Sequence, residues 1–234
     1  MALSYFFVQS LEEKSLQLDE DTSKHIISVL RMQKGEELLL TNGNGQKATA
    51  RIIDDNRKRC VVEILSIESE ERSQPHVSIA ISITKNSSRF EWFLEKATEI
   101  GVNEIIPLLS ERTAKEKFRY DRMHGILVSA MLQSQQTWIP KLHQPTSFDD
   151  VVKQASQGQK FIAHCLPEQK QNLPSVVTHH SSLILIGPEG DFTPKEIEIA
   201  LKAGFVPVAL GNTRLRTETA GMVAATLLKI SPSN

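Results

Sequence analysis

Val77, Ile79, Ile81 and Ile83 alternate with Ser78, Ala80 and Ser82, a period of two that predicts a strand. Phe90, Phe93, Leu94 and Ala97 then recur at helical spacing, with Gly101 placed to stop the helix. Val102 to Leu108 reads as a second strand, and Met123, Leu127, Ala130, Met131 and Ser134 as a longer helix closed by Pro140. Phe161 to Leu166, Leu183 to Ile186 and Phe205 to Leu210 are unbroken apolar runs of buried-strand length. Such runs alternating with helices predict an α/β domain whose mostly parallel sheet is covered on both faces.

The chain before this domain has a different texture. Leu38-Leu39-Leu40 leads into Thr41-Asn42-Gly43-Asn44-Gly45, and Asn-Gly pairs tolerate the positive φ of tight hairpins. Ala48 to Ile53 and Cys60 to Ile67 follow as strands, and His25 to Arg31 precedes them as a short helix. These elements predict a small β-barrel. The polar, proline-ended stretch Ser66 to His76 marks the boundary, giving domains 1–70 and 71–234.

Composition narrows the class. A chain of 234 residues, 40% hydrophobic and 24% charged, is an ordinary globular sequence with room for one or two domains. Cys60 and Cys165 lie far apart and outside metal-ligand spacing, so they form neither a disulfide framework nor a zinc site. The first residues lack the basic flank of a signal peptide. No apolar run approaches the ~18 residues of a membrane span. The expectation is a soluble cytoplasmic protein.

A net charge of −1 argues against bulk electrostatic coating of nucleic acid, but the charge is uneven. Residues 24–59 hold eight Lys/Arg against four acids, and residues 112–122 hold five against Glu116 and Asp121. Phe118 and Tyr120 interleave the second stretch, a pattern suited to phosphate contact with base stacking; a solvated face whose aromatics pack on each other is the plainer alternative.

The most informative positions are two glycine-bearing loops after consecutive buried strands. Gly187-Pro188-Glu189-Gly190 precedes a helix whose start, Thr193-Pro194-Lys195-Glu196, is a capping box with proline at its first position. Gly211 to Ala220 follows the next strand, with Arg214, Arg216 and Glu218 beside a threonine-rich helix start. Ligands of parallel α/β sheets bind beyond the carboxyl ends of the strands, so the two loops outline a small-ligand pocket. A G-x-G-x-x-G opening a helix and a Walker motif are both absent, which excludes the usual dinucleotide and nucleotide sites.

With Leu210-Gly211 and Leu215-Arg216-Thr217-Glu218-Thr219-Ala220, these loops resemble the signature of the RsmE-type 16S rRNA (uracil-N3) methyltransferases of the SPOUT superfamily. His25 with Val29-Leu30-Arg31, Lys85 with Arg89-Phe90-Glu91, and Glu95 to Val102 extend the resemblance over nearly the whole chain. It implies a PUA-like RNA-binding β-barrel, a C-terminal α/β domain with a trefoil knot, a homodimer, and S-adenosyl-L-methionine held in the knot. The implied substrate is a uridine of 16S rRNA in the small ribosomal subunit. By position, the cofactor contacts fall on Leu166, Gly187, Pro188, Gly190, Leu210, Gly211, Leu215, Thr219 and Ala220. RNA contacts fall on His25, Arg31, Lys85, Arg89 and Arg112.

Methylation at N3 removes the imide proton and leaves an anion spread over O2 and O4. Arg216 is the candidate stabiliser of that anion, and Glu218 or Glu189 the candidate proton acceptor. As first-turn and in-turn carboxylates, the two glutamates have structural alternatives that stay open at this point. Three positions depart from the family pattern: Asp191 replaces a glycine, Leu132-Gln133-Ser134-Gln135-Gln136 ends without the usual arginine, and Tyr5-Phe6 stands where an N-terminal arginine is common. A scaffold that binds RNA without catalysis, and a methyltransferase acting on another RNA, are the alternative readings.

Overall fold

The structure, a computed structural model, describes residues 3–113, 117–166, 170–178 and 181–230. The chain divides into two units, one running up to Arg72 and including Met131–Ile139, the other containing Ser73–Ala130 and the chain from Pro140 onward.

In the first unit, β1 (Tyr5–Phe7), β2 (Ser15–Gln17), β3 (Glu37–Thr41), β4 (Gln46–Asp54) and β5 (Val61–Ser69) form a sheet in the order β1-β3-β4-β5-β2. Alternate residues of β3 and β4 (Leu38, Leu40, Ala48, Ala50, Ile52) point into one core with Ile26 and Val62. The Asn-Gly pairs make the β3–β4 hairpin: Gly43 and Gly45 take φ of 71° and 84°, and the Asn42 side chain accepts the Asn44 N–H at 2.9 Å. The helix expected over His25 to Arg31 begins earlier. Asp19 caps α1 (Glu20–Lys24) by accepting the Thr22 N–H at 2.8 Å, and His25–Val29 continues it as a wider π-helical turn. Arg31, at φ 58°, ends it.

The second unit is the predicted α/β layer structure. Its elements run β6 (His76–Ser82), α2 (Ser87–Ile100), β7 (Glu104–Leu109), α3 (Tyr120–Gln133), β8 (Lys141–Leu142), β9 (Thr146–Ser147), α4 (Phe148–Gln154), β10 (Gln159–Ala163), β11 (Gln171–Asn172), β12 (Ser181–Ile186), α5 (Pro194–Lys202), β13 (Val206–Ala209) and α6 (Thr217–Ile230). The strands pair in parallel in the order β11-β13-β10-β12-β6-β7-β8, with β9 also on β7. α2 and α6 pack on each other, and α6 packs on β6 and β12. Phe148, Val151 and Ile197 of α4 and α5 join Ile162, Leu183 and Leu185 of the sheet in another core cluster. Gly101, in the left-handed conformation at φ 84°, stops α2 as expected. α3 ends at Gln133, well before Pro140, because Gln135 turns left-handed (φ 56°) and the Gln136 N–H returns to the Met131 carbonyl at 3.0 Å.

β13 lies between β11 and β10, so the connection from β10 through β11 to β12 straddles it. α6, which follows β13, packs on the Leu173–Ser175 turn of that connection. This is the strand order and packing of the knotted class that the resemblance implies.

Candidate functional site

β10, β12 and β13 lie together at the middle of the second unit's sheet, and their carboxyl ends open into three loops. Together these loops enclose a cavity of about 640 Å³, lined among others by Cys165, Gly187, Glu189, Leu210, Arg216 and Ala220. A volume in the range of small-molecule sites, walled by backbone and a mixture of apolar and polar side chains, suits an extended ligand with both kinds of surface.

Each wall has a local cause. In the second loop the Asp191 N–H closes the turn on the Pro188 carbonyl at 2.9 Å. A Cβ on Gly187 would stand 3.2 Å from the buried Phe192 ring, so a side chain there would press on the anchor of the loop. The Gly187 carbonyl accepts the Thr217 hydroxyl at 3.0 Å, which ties this loop to the start of α6. Arg112 donates to the Gly190 carbonyl at 2.7 Å. Beyond the loop, Thr193 and Glu196 form the expected capping box of α5, and Glu196 also accepts the Glu111 N–H at 2.8 Å. In the third loop Gly211 has φ 133°, and a Cβ there would meet nothing within 4 Å, so the glycine serves backbone conformation and not space.

Charge gathers on one side of the cavity. The Arg89 guanidinium stands 3.7 Å from Oε1 of Glu189 and 3.7 Å from Oε1 of Glu218. Glu189 is half exposed on the cavity wall, whereas Glu218 is buried, with Oε2 lacking a hydrogen-bond partner. A buried carboxylate oxygen left unsatisfied is costly, so this position calls for a further donor. Arg216 is exposed on the wall. Two residues beyond Arg89 on α2, Glu91 is gripped by Arg122 of α3 with two bonds of 2.7 and 2.9 Å, which hold its carboxyl below the usual carboxylate range.

Of the residues expected at the cofactor, Gly187, Pro188, Leu210, Gly211, Leu215 and Ala220 line the cavity. Gly190 holds its second loop through Arg112, and Leu166 packs against the core cluster under α4 and α5. Thr219 lies half-buried in the first turn of α6, and Lys85 is exposed just before α2. His25 and Arg31 belong to the first unit. Phe118 and Tyr120 are engaged with neighbours: Phe118 meets Phe90 edge-on at 6.2 Å, Tyr120 stacks on His124 at 6.1 Å, and the tyrosine hydroxyl donates to the Leu142 carbonyl at 3.1 Å. Lys115 and Glu116 of the basic stretch lie outside the described residues. Sequence reasoning missed Lys170 on the cavity wall, noted Asp191 there only as a departure from the family pattern, and gave no role to Thr217.

Comparisons with known proteins agree with this geometry. The RNA methyltransferase domain family matches residues 70–229, and the RNA methyltransferase PUA domain family matches residues 18–65. The ribosomal RNA small subunit methyltransferase E of Mesomycoplasma hyopneumoniae is 30% identical over 227 residues, covering 94% of this chain and 96% of the relative. A probable rRNA-methyltransferase from Porphyromonas gingivalis shares 41% identity and a TM-score of 0.89 over 95% of both chains. The methyltransferase E of Neisseria gonorrhoeae, solved bound to S-adenosyl methionine, shares 28% identity and a TM-score of 0.83 over 96% of this chain and 95% of that one.

Proposed function

The chain belongs to the ribosomal RNA small subunit methyltransferase E family, and from that membership we propose that it transfers a methyl group from S-adenosylmethionine to N3 of one uridine in 16S rRNA. The observation that carries the reading is the convergence of three strand-end loops on one cavity, with Arg216 on its wall. The cavity fits the methyl donor: Gly187 and Gly211 expose backbone to it, and Leu210, Leu215 and Ala220 supply apolar surface for an adenosine. Residues 71–234 are the methyltransferase part and residues 1–70 the RNA-binding part, which Met131–Ile139 also joins. Exposed Trp92 and Ile230, on the packed helices α2 and α6, support a homodimer through this region. The proposed substrate places the enzyme in the cytoplasm.

When bound, the donor supplies an electrophilic methyl with an excellent leaving group, so the protein's work is orientation and charge stabilisation. Arg216 faces the cavity with a fixed positive charge and a planar donor fork, suited to the anion over O2 and O4 of the deprotonated uracil. Glu189, exposed on the same wall, receives the imide proton directly or through water. Glu218 is buried behind Arg89 and acts through it, fixing the guanidinium beside Glu189.

The test is methyl transfer from labelled donor to small subunits purified from cells lacking this gene, mapped by reverse transcription. Methylation at N3 blocks base pairing and stops the polymerase at that uridine. One such stop, abolished by Arg216→Ala while donor binding persists, is the expected result. Donor binding without a stop in 16S rRNA refutes the assigned substrate, and no donor binding refutes the enzymatic reading.

A further inference from the structure

The peptide unit joining His164 to Cys165, in the first loop of the cavity, is held at both ends by charged side chains. Its carbonyl accepts a hydrogen bond from the Lys170 ammonium at 2.8 Å, and the same ammonium reaches the Leu166 carbonyl at 2.7 Å. Its N–H, on Cys165, donates to Oδ2 of Asp191 at 2.8 Å. The second oxygen of Asp191 accepts the Phe192 N–H at 2.9 Å, and the Phe192 ring packs 5.5 Å from that of Phe148 in the core. Cys165, Lys170 and Asp191 all line the cavity.

The polarity of the arrangement is self-consistent. A positive group sits on the carbonyl end of the peptide dipole and a negative group on its N–H end, so each bond reinforces the other. The anchor of the negative group is unusual: Asp191 holds φ 62°, a left-handed conformation that aspartate tolerates better than most residues. That conformation turns its carboxylate from the second loop toward the first. Loops at strand ends are otherwise the mobile parts of such domains, and ordering them at the moment of binding weakens affinity.

We propose that Lys170 and Asp191 form a charged clamp on the His164–Cys165 peptide that presets the first two loops for the methyl donor, making Asp191 a positioning residue. The proposal rests on the methyltransferase reading and deepens it. Substitution separates the clamp from the backbone requirement. Asp191→Gly accepts φ 62° without strain but removes the acceptor. Asp191→Asn keeps both left-handed tolerance and one acceptor oxygen.

Purified wild type and both variants are titrated calorimetrically with S-adenosylmethionine and with its demethylated thioether product. Exchange of the Cys165 amide is followed in the same proteins without ligand. Asp191→Gly is expected to weaken both ligands about tenfold, the scale of one hydrogen bond to a charged group. It should also lose protection at the Cys165 amide, with the loss falling on the KM for the donor more than on kcat. Asp191→Asn should remain within about threefold of wild type for both ligands. Affinity of Asp191→Gly within twofold of wild type overturns the clamp, as do equal losses in the two variants, which would mean recognition of the donor's charge. Failure of the wild type to bind either ligand removes the methyltransferase reading and the clamp together.

Discussion

Gly221 sits in α6 where the helix crosses β6 and α2, and replacing it with alanine sets two opposing effects against each other. A Cβ there would stand 2.6 Å from Cδ1 of Ile81 and 2.7 and 3.0 Å from two carbons of the Phe93 ring. Both side chains are fully buried. The isoleucine methyl is the end of a flexible chain, but the phenylalanine ring is backed by Phe90, 6.2 Å away. Overpacking of this kind costs ~1–3 kcal/mol. Alanine regains ~1 kcal/mol of helix propensity over glycine. With contacts this short the steric cost falls in the upper part of its range, leaving a net loss of ~2 kcal/mol, or roughly 4–8 °C in Tm for a unit of this size. Gly125 in α3 is the internal control, since a Cβ there would meet nothing within 4 Å and Gly125→Ala should gain up to ~1 kcal/mol. Calorimetric scans of the two variants beside wild type read both numbers. A Tm for Gly221→Ala equal to or above wild type would refute the reasoning, because the slot between α6 and Phe93 would then have room.

Contact with the His143 ring, 3.7 Å away, holds the Glu104 carboxyl down to about 2 against the opposing effect of burial. A carboxylate whose pKa is lower folded than unfolded contributes stability above its unfolded pKa and loses it as the pH falls toward the folded one. Glu104→Gln should therefore lose stability at neutral pH and show a shallower decline between pH ~4.5 and ~2, read from melts across that range; an unchanged pH slope would count against the pairing. Thr193→Ala removes the side-chain cap of α5 and should cost ~1 kcal/mol in denaturant titrations, a result that a neutral variant would contradict. Glu189→Gln should lower kcat on the order of 100-fold with donor affinity intact, whereas a loss confined to Glu218→Gln would reverse the roles given to the two glutamates.

The sheet was legible because its strands are apolar runs of the right length, yet one pattern carried a different meaning from its usual one. The alternation from Val77 to Ile83 predicts a strand, and β6 is there, but Ser78, Ala80 and Ser82 are as buried as Ile79 and Ile81. The small residues mark size, not exposure, and their hydroxyls find partners: Ser78 donates to Glu104, and Ser82 shares a hydrogen bond with Ser110. Gly187 and Gly190 were readable because glycines at strand ends are themselves the signal. Lys170 was not, and Arg112 and Asp191 were visible only as an expected RNA contact and as a departure from the family pattern, since single charges have no periodicity that would name their partners. Two of their contacts span 78 residues, from Arg112 to Gly190, and 26, from Cys165 to Asp191. The end of α3 was hidden for a related reason: Gln135, left-handed without being glycine, leaves no mark on composition.

β13 is inserted between β11 and β10, two strands that both precede it in the chain. Val206–Ala209 completes its pairing only when both neighbours are in place. Pairing across such separations is slow, because loop-closure entropy is lost before contacts repay it. The third wall of the cavity, Leu210 to Thr217, follows β13, so a chain in which β13 is not inserted has two loops and no enclosed site. A ligand that binds only the closed cavity favours that insertion, by about 2.7 kcal/mol at a hundredfold its Kd. Donor affinity in this protein is thus also a gauge of finished folding, and a chain that cannot complete the insertion is silent as an enzyme from the start.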